Sequence, residues 1–213
     1  MTTLFAPRAS HQRSWSTIAA GSRTLAAGEP IILSHHRRLV LVGCAGAATT
    51  EQMAFLIRHT TGFLQVALHE RICDRLVLPE ATPMVRATST LGHGQCVTVD
   101  AAVGVTTGIS GADRAHTARI LADPTTDPGD LTRPGHLVPV RVTPTEFRRH
   151  LTTAALALAL TDAAAAQYSG AVFADLEGIG DPTSVGDRHD AEILADRYGL
   201  TLVAGPDPEN NVR

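Results

Sequence analysis

His136 closes an Arg-Pro-Gly-His run that starts at Arg133. An imidazole gives and takes a proton near neutral pH, so His136 is the first candidate general acid or base. The plain alternative is a structural histidine buttressing the Pro-Gly turn. Asp175 follows the apolar run Ala171 to Ala174, and ligands gather where such strands end; a loop-capping aspartate is the alternative. Arg148 and Arg149 precede His150, and a guanidinium fork suits an anion. His35 and His36 could join His150 around a Zn²⁺, Mn²⁺ or Fe²⁺ ion, which imidazole suits. Against that, adjacent residues of a strand point to opposite faces, and an exposed turn of His and Arg accounts for the same residues. Thr106, Thr107, Ser110 and Asp113 offer hydroxyls and a carboxylate to a polar ligand, although Ser110 and Asp113 also fit a helix cap.

Short elements must position these groups. Pro30 to Leu33 and Arg38 to Val42 are apolar runs of strand length, with only Ser34 to Arg37 between them. Thr49 and Gln52 have capping-box spacing ahead of a helix to Thr60. Further strands are expected at Phe63 to Leu68, Gln95 to Val99, Val138 to Val142, Ala171 to Leu176 and Leu200 to Ala204. Helices are expected at Thr17 to Ala27, His69 to Leu78, Arg114 to Ala122 and Asp187 to Tyr198. Thr143-Pro-Thr-Glu146 is a strong helix start, and the Ala/Leu-rich segment to Ala166 reads as its continuation. Strands and helices in no strict alternation argue for an α/β (α+β mixed) fold, a mixed sheet with helices on its faces. The domain is expected over residues 17–207, after an N-terminal arm (1–16) and before a tail (208–213).

Composition narrows the function classes. The formal net charge is -3 with no basic block, and aromatics make up 4%, which argues against nucleic acid as a partner. The longest apolar run, Ala154 to Leu160, is far short of the ~20 residues a membrane span requires. Three cysteines without CxxC spacing read as reduced thiols, and the polar N-terminus lacks a signal-peptide core. The expectation is a cytoplasmic protein with a small-molecule substrate.

Three segments together carry a resemblance. They are Glu51 to Ala54 with Ile57 to His59; Gly104 to Ser110 (Gly-Val-Thr-Thr-Gly-Ile-Ser) with Ala112 to Arg114; and Asp130 to His136. Over about Gly28 to Asp207 the chain resembles the 3,4-dihydroxy-2-butanone-4-phosphate synthase family. The resemblance implies a three-layer sandwich and a homodimer with sites at the subunit interface. It also implies the family reaction, Mg²⁺-dependent conversion of ribulose 5-phosphate to 3,4-dihydroxy-2-butanone 4-phosphate plus formate, which feeds riboflavin synthesis. It carries the family's essential histidine onto His136, its metal-ligating histidine onto His150, and its late catalytic glutamate onto Asp175, a shorter carboxylate.

Two departures stand beside it. The family joins its first strands with an acidic loop that supplies metal and substrate carboxylates. Here Leu33 to Leu39 holds no acid, so the family Mg²⁺ site is expected to be lost, because Mg²⁺ demands carboxylate and water oxygens. The family's glycine-rich phosphate cup is replaced by Phe147 to Thr152, and the cap at Thr143 should place His150 two turns inside a helix. The leading expectation is a diverged enzyme, with His136 as proton carrier and Asp175 as its acidic counterpart or a substrate ligand. It would do lyase- or isomerase-type chemistry on a small polar carbonyl compound, in specialised biosynthesis. The alternatives are an inactive binding or regulatory homodimer, and an authentic synthase.

Overall fold

The computed structural model describes residues 15–81, 94–148, 151–164, 169–181 and 183–206. Arg149 and His150 lie outside them, as do the tail and residues 1–14 of the expected arm. Trp15 and Ser16 belong to the domain: the Ser16 amide donates to the Leu202 carbonyl and the Trp15 indole to Glu192.

The caps start helices as the local chemistry dictates. Thr17 Oγ accepts from the Ala20 amide ahead of α1 (Ile18–Ala26). The Thr49 and Gln52 box opens α2 (Thr50–His59), and Ser110 Oγ accepts from the Asp113 amide ahead of α4 (Gly111–Ala122). Asp187 and Asp190 form the box of α7 (Arg188–Tyr198), which ends at Gly199 in the left-handed region. A short α3 (Glu70–Arg75) follows β3 (Gln65–His69).

The segment after Thr143 does not make one helix. Glu146 accepts from the Thr143 amide and hydroxyl and from Thr152, ending its role in a five-residue α5 (Pro144–Arg148). Thr152 then caps a second helix, α6 (Thr153–Ala164), through the Ala155 amide. A cap side chain that takes an amide proton offers the backbone a fresh start, and Thr152 does so here. Leu151 and Thr152 are therefore outside any helix, while His150, expected two turns inside one, lies outside the described residues.

Seven strands form one mixed sheet in the order β4-β5-β3-β6-β2-β1-β7. The remaining strands are β1 (Ile31–His35), β2 (Arg38–Cys44), β4 (Val99–Ala101), β5 (Leu131–Val142), β6 (Ala171–Asp175) and β7 (Thr201–Ala204). β3 pairs with β5 and β1 with β7 in parallel; the other pairs are antiparallel. Gln95 and Cys96, expected in a strand, make only isolated bridges. One face packs Leu41, Val66, Leu68, Leu137 and Val172 against helices that include α2, α4 and α7; the other packs Val40, Val42, Ala67, Val140 and Phe173 against α1 and α6. Alternation along each strand thus builds a three-layer sandwich, each buried Leu, Val or Phe contributing about 1.5–3 kcal/mol on removal from water.

Candidate functional site

β5 begins far earlier than its apolar core suggests. Asp100 pairs with Thr132 and Val99 with Leu137, so Arg133 to His136 bulge out of the β4–β5 ladder. Gly135 lies flat on β4: a Cβ there would come within 2.0 Å of the Val99 carbonyl carbon and 2.2 Å of the Asp100 nitrogen. The bulge is pinned by the Gly135 amide donating to Thr98 Oγ1 and the His136 amide to Asp100 Oδ1.

Asp100 then does a second job. Its Oδ2 lies 2.7 Å from His136 Nδ1, its side chain is only 10% exposed, and the imidazole is 39% exposed. A carboxylate on Nδ1 favours the proton there, which leaves Nε2 facing outward as a proton acceptor. Arg114 sits close enough for the Asp100 charge to act on its guanidinium, whose pKa burial lowers and Asp100 partly restores. Sequence reading missed Asp100, although an acid closing the Val97-Thr-Val99 run was the available signal.

The Gly104 to Ser110 loop leans on this pair. Gly108 has φ +84°, and a Cβ on it would reach 2.0 Å from Asp100 Oδ2 and 2.6 Å from His136 Nδ1. Buried Asp113 ties the loop to α4 by accepting from the Thr106 hydroxyl and amide and the Gly108 amide. Those bonds, the Thr106 hydroxyl foremost, hold its carboxyl down to about 2. Asp113, Ser110 and Thr106 are thus structural, while Thr107 is exposed next to Gly108 and open to a ligand.

Asp175 does not partner His136. Its two oxygens accept from Arg38 Nε and Nη2 at 2.9 and 2.7 Å. The expected acidic counterpart is replaced by Asp100, because register brings Asp175 to β2 instead. The two candidates still share an end of the sheet. Val138 of β5 and Phe173 of β6 both pair with Gln65 of β3. His136 and Asp175 each lie two residues beyond, at the same end of the sheet.

β1 and β2 are joined by a tight hairpin whose two turn residues, His36 and Arg37, have φ of 48° and 59°. Such a turn matches strand twist, and no loop long enough for a carboxylate cage exists between these strands. His35 is buried with Nδ1 3.4 Å from Thr153 Oγ1, and His36 Nε2 is 3.0 Å from the Leu151 carbonyl. The two rings meet edge to face at 4.0 Å rather than pointing to opposite faces, since His36 belongs to the turn and not the strand. Among the described residues no three His, Cys, Asp or Glu side chains converge on a point that could hold a metal. The residues at this junction do not fit Mg²⁺: two imidazoles, two guanidiniums, and one carboxylate already bound on both oxygens. Arg148 is exposed at the end of α5.

A mixed seven-stranded sheet between helix layers, with a histidine–aspartate pair under a glycine-rich loop, makes this an α/β scaffold. The family model for 3,4-dihydroxy-2-butanone 4-phosphate synthase matches residues 21–207, and the chain belongs to that family. It is 45% identical over 132 residues to the riboflavin biosynthesis protein RibBA of Salinispora arenicola, covering 60% of this chain and 31% of that one. The RibBA of Mycobacterium tuberculosis is 41% identical over 165 residues, 76% of this chain and 38% of that one. The chain thus spans about a third of the length of these relatives. Among solved structures, 3,4-dihydroxy-2-butanone 4-phosphate synthase of Candida albicans superposes with a TM-score of 0.81 at 28% identity, covering 90% of this chain and 95% of that one. A synthase in complex with two magnesium ions gives 0.79 at 27% identity, with 89% and 93% covered. No helix among the described residues is long and apolar enough to cross a membrane.

Proposed function

We infer that this chain performs the acid–base, lyase-type chemistry of its family on a small polyhydroxy carbonyl phosphate, in riboflavin-type biosynthesis. The observation that carries this reading is the His136–Asp100 pair, held at 2.7 Å under the Gly104 to Ser110 loop. His136 Nε2 removes or returns a proton at carbon or hydroxyl; Asp100 orients the ring and steadies its charged form. Thr107 and Arg148 are the described candidates for substrate contact, with Arg149 and His150 beside them in sequence. The β1–β2 hairpin of this chain carries no carboxylate between Leu33 and Leu39.

A second reading, the authentic synthase reaction on ribulose 5-phosphate, is favoured by the family match over residues 21–207 and by the RibBA relatives. One assay separates the two. The full chain is given ribulose 5-phosphate, and formate is followed in Mg²⁺ and in EDTA. The acid-free hairpin predicts that Mg²⁺ adds nothing to the rate. Mg²⁺-stimulated formate release, with rescue of a riboflavin auxotroph lacking its own synthase, would establish the authentic reaction instead. Binding without turnover of any ketose phosphate would point to a regulatory role.

The resemblance also supports a homodimer whose site draws on both chains. Exposed Val103, just before the Gly104 to Ser110 loop, and Ile109 within it suit such an interface. Light scattering should give twice the 22.4 kDa chain mass at micromolar concentration; a monomer mass would refute it.

A further inference from the structure

The two-residue hairpin turn makes Arg38 the first residue of β2. Val40 is the cross-strand partner of Asp175, so Arg38, two residues earlier, projects from the same α1/α6 face. Its Nε and Nη2 grip the two oxygens of Asp175 at 2.9 and 2.7 Å, a bidentate geometry that fixes the plane of the guanidinium. Nη1 makes no hydrogen bond among the described residues, and the two side chains are 33% and 25% exposed. The pair therefore presents an oriented, partly desolvated donor edge at the surface. From the other side, His35 on Thr153 and His36 on the Leu151 carbonyl fasten the hairpin to the start of α6. The planar N–H array of a guanidinium matches the oxygens of a carboxylate, phosphate or enediolate. Asp175, with a cation already on both oxygens, gains little from a second one nearby, because like charges repel strongly where solvent is partly excluded.

We propose that Arg38, held by Asp175, is the specificity-determining cation of this site and takes an anionic oxygen of the substrate directly, with no divalent ion between them. The inference rests on the functional reading above for its ligand class, an anionic polyhydroxy carbonyl compound. Asp175 is on this account a positioning residue, and the proton chemistry belongs to His136.

The test measures binding apart from turnover. Wild type, Arg38→Lys and Arg38→Met, as full chains, are titrated calorimetrically with ribulose 5-phosphate in EDTA and again in Mg²⁺. Wild type should bind equally in both. Arg38→Met should weaken binding roughly 10- to 100-fold, the range for losing hydrogen bonds to a charged group. Arg38→Lys should fall between, keeping the charge without the fork. Thermal melts identify any variant that has lost its fold, and for such a variant the Lys form carries the comparison. Binding that requires Mg²⁺, no binding by wild type in EDTA, or an affinity untouched by Arg38→Met would each overturn the proposal. Arg38-dependent binding without formate release would leave it standing while removing the functional reading. Formate release in EDTA that survives Arg38→Met would do the reverse.

Discussion

His136→Ala is expected to lower turnover by about 10²–10⁴-fold, the usual contribution of a positioned proton carrier. The geometry gives the loss a specific form. His136 is anchored twice to Asp100, through its amide and through Nδ1, and Gly108 presses on the same carboxylate. The backbone anchor survives truncation of the side chain, so the bulge should persist and the effect should fall on kcat rather than on folding. Asp100→Asn removes the charge but keeps an amide near the ring, and should cost less in rate. A His136→Ala protein that turns over ketose phosphate at the wild-type rate would remove the catalytic assignment. An Asp100→Asn protein with unchanged turnover would reduce Asp100 to a scaffold residue.

Gly135→Ala should be the most damaging small substitution in the chain. Its new methyl carbon would meet backbone on β4 at 2.0, 2.2 and 2.4 Å, all of it strand atoms rather than movable side-chain tips. Relief requires prising β4 from β5, which also breaks the His136 amide bond to Asp100 and the Gly135 amide bond to Thr98. Overpacking of this kind costs about 3 kcal/mol, which in a domain this size lowers Tm by roughly 6–12 °C. Gly129→Ala is the control, since nothing lies within 4 Å of its Cβ, and its melt should match wild type. Equal melts for the two variants would show that β4 and β5 can separate at little cost, contrary to the packing.

The caps at Thr49 and Ser110, the apolar runs of β1, β2 and β6, and the mixed sheet were all legible in the chain as written, as was the family through its Gly-Val-Thr-Thr-Gly and Arg-Pro-Gly-His runs. Such features depend on neighbours a few residues apart, where a hydroxyl reaches the third amide onward or side chains alternate with the pleat. The absence of acid between Leu33 and Leu39 was equally plain, and the left-handed turn at His36 and Arg37 accounts for how the strands close without a loop.

Where one element ends and another begins was harder to read. Thr143 precedes α5 and gives its amide and hydroxyl to Glu146, while Thr152 caps α6 and also donates to Glu146, so the one carboxylate bonds to both. β5 extends back to Leu131 only because β4 is there to pair with it. The partners of the reactive groups were decided by tertiary structure alone. His136 and Asp100 are 36 residues apart and Arg38 and Asp175 are 137 apart, and each pair meets through strand register. Two acids at strand ends look alike in a sequence; the ladder places one on an imidazole and the other on a guanidinium.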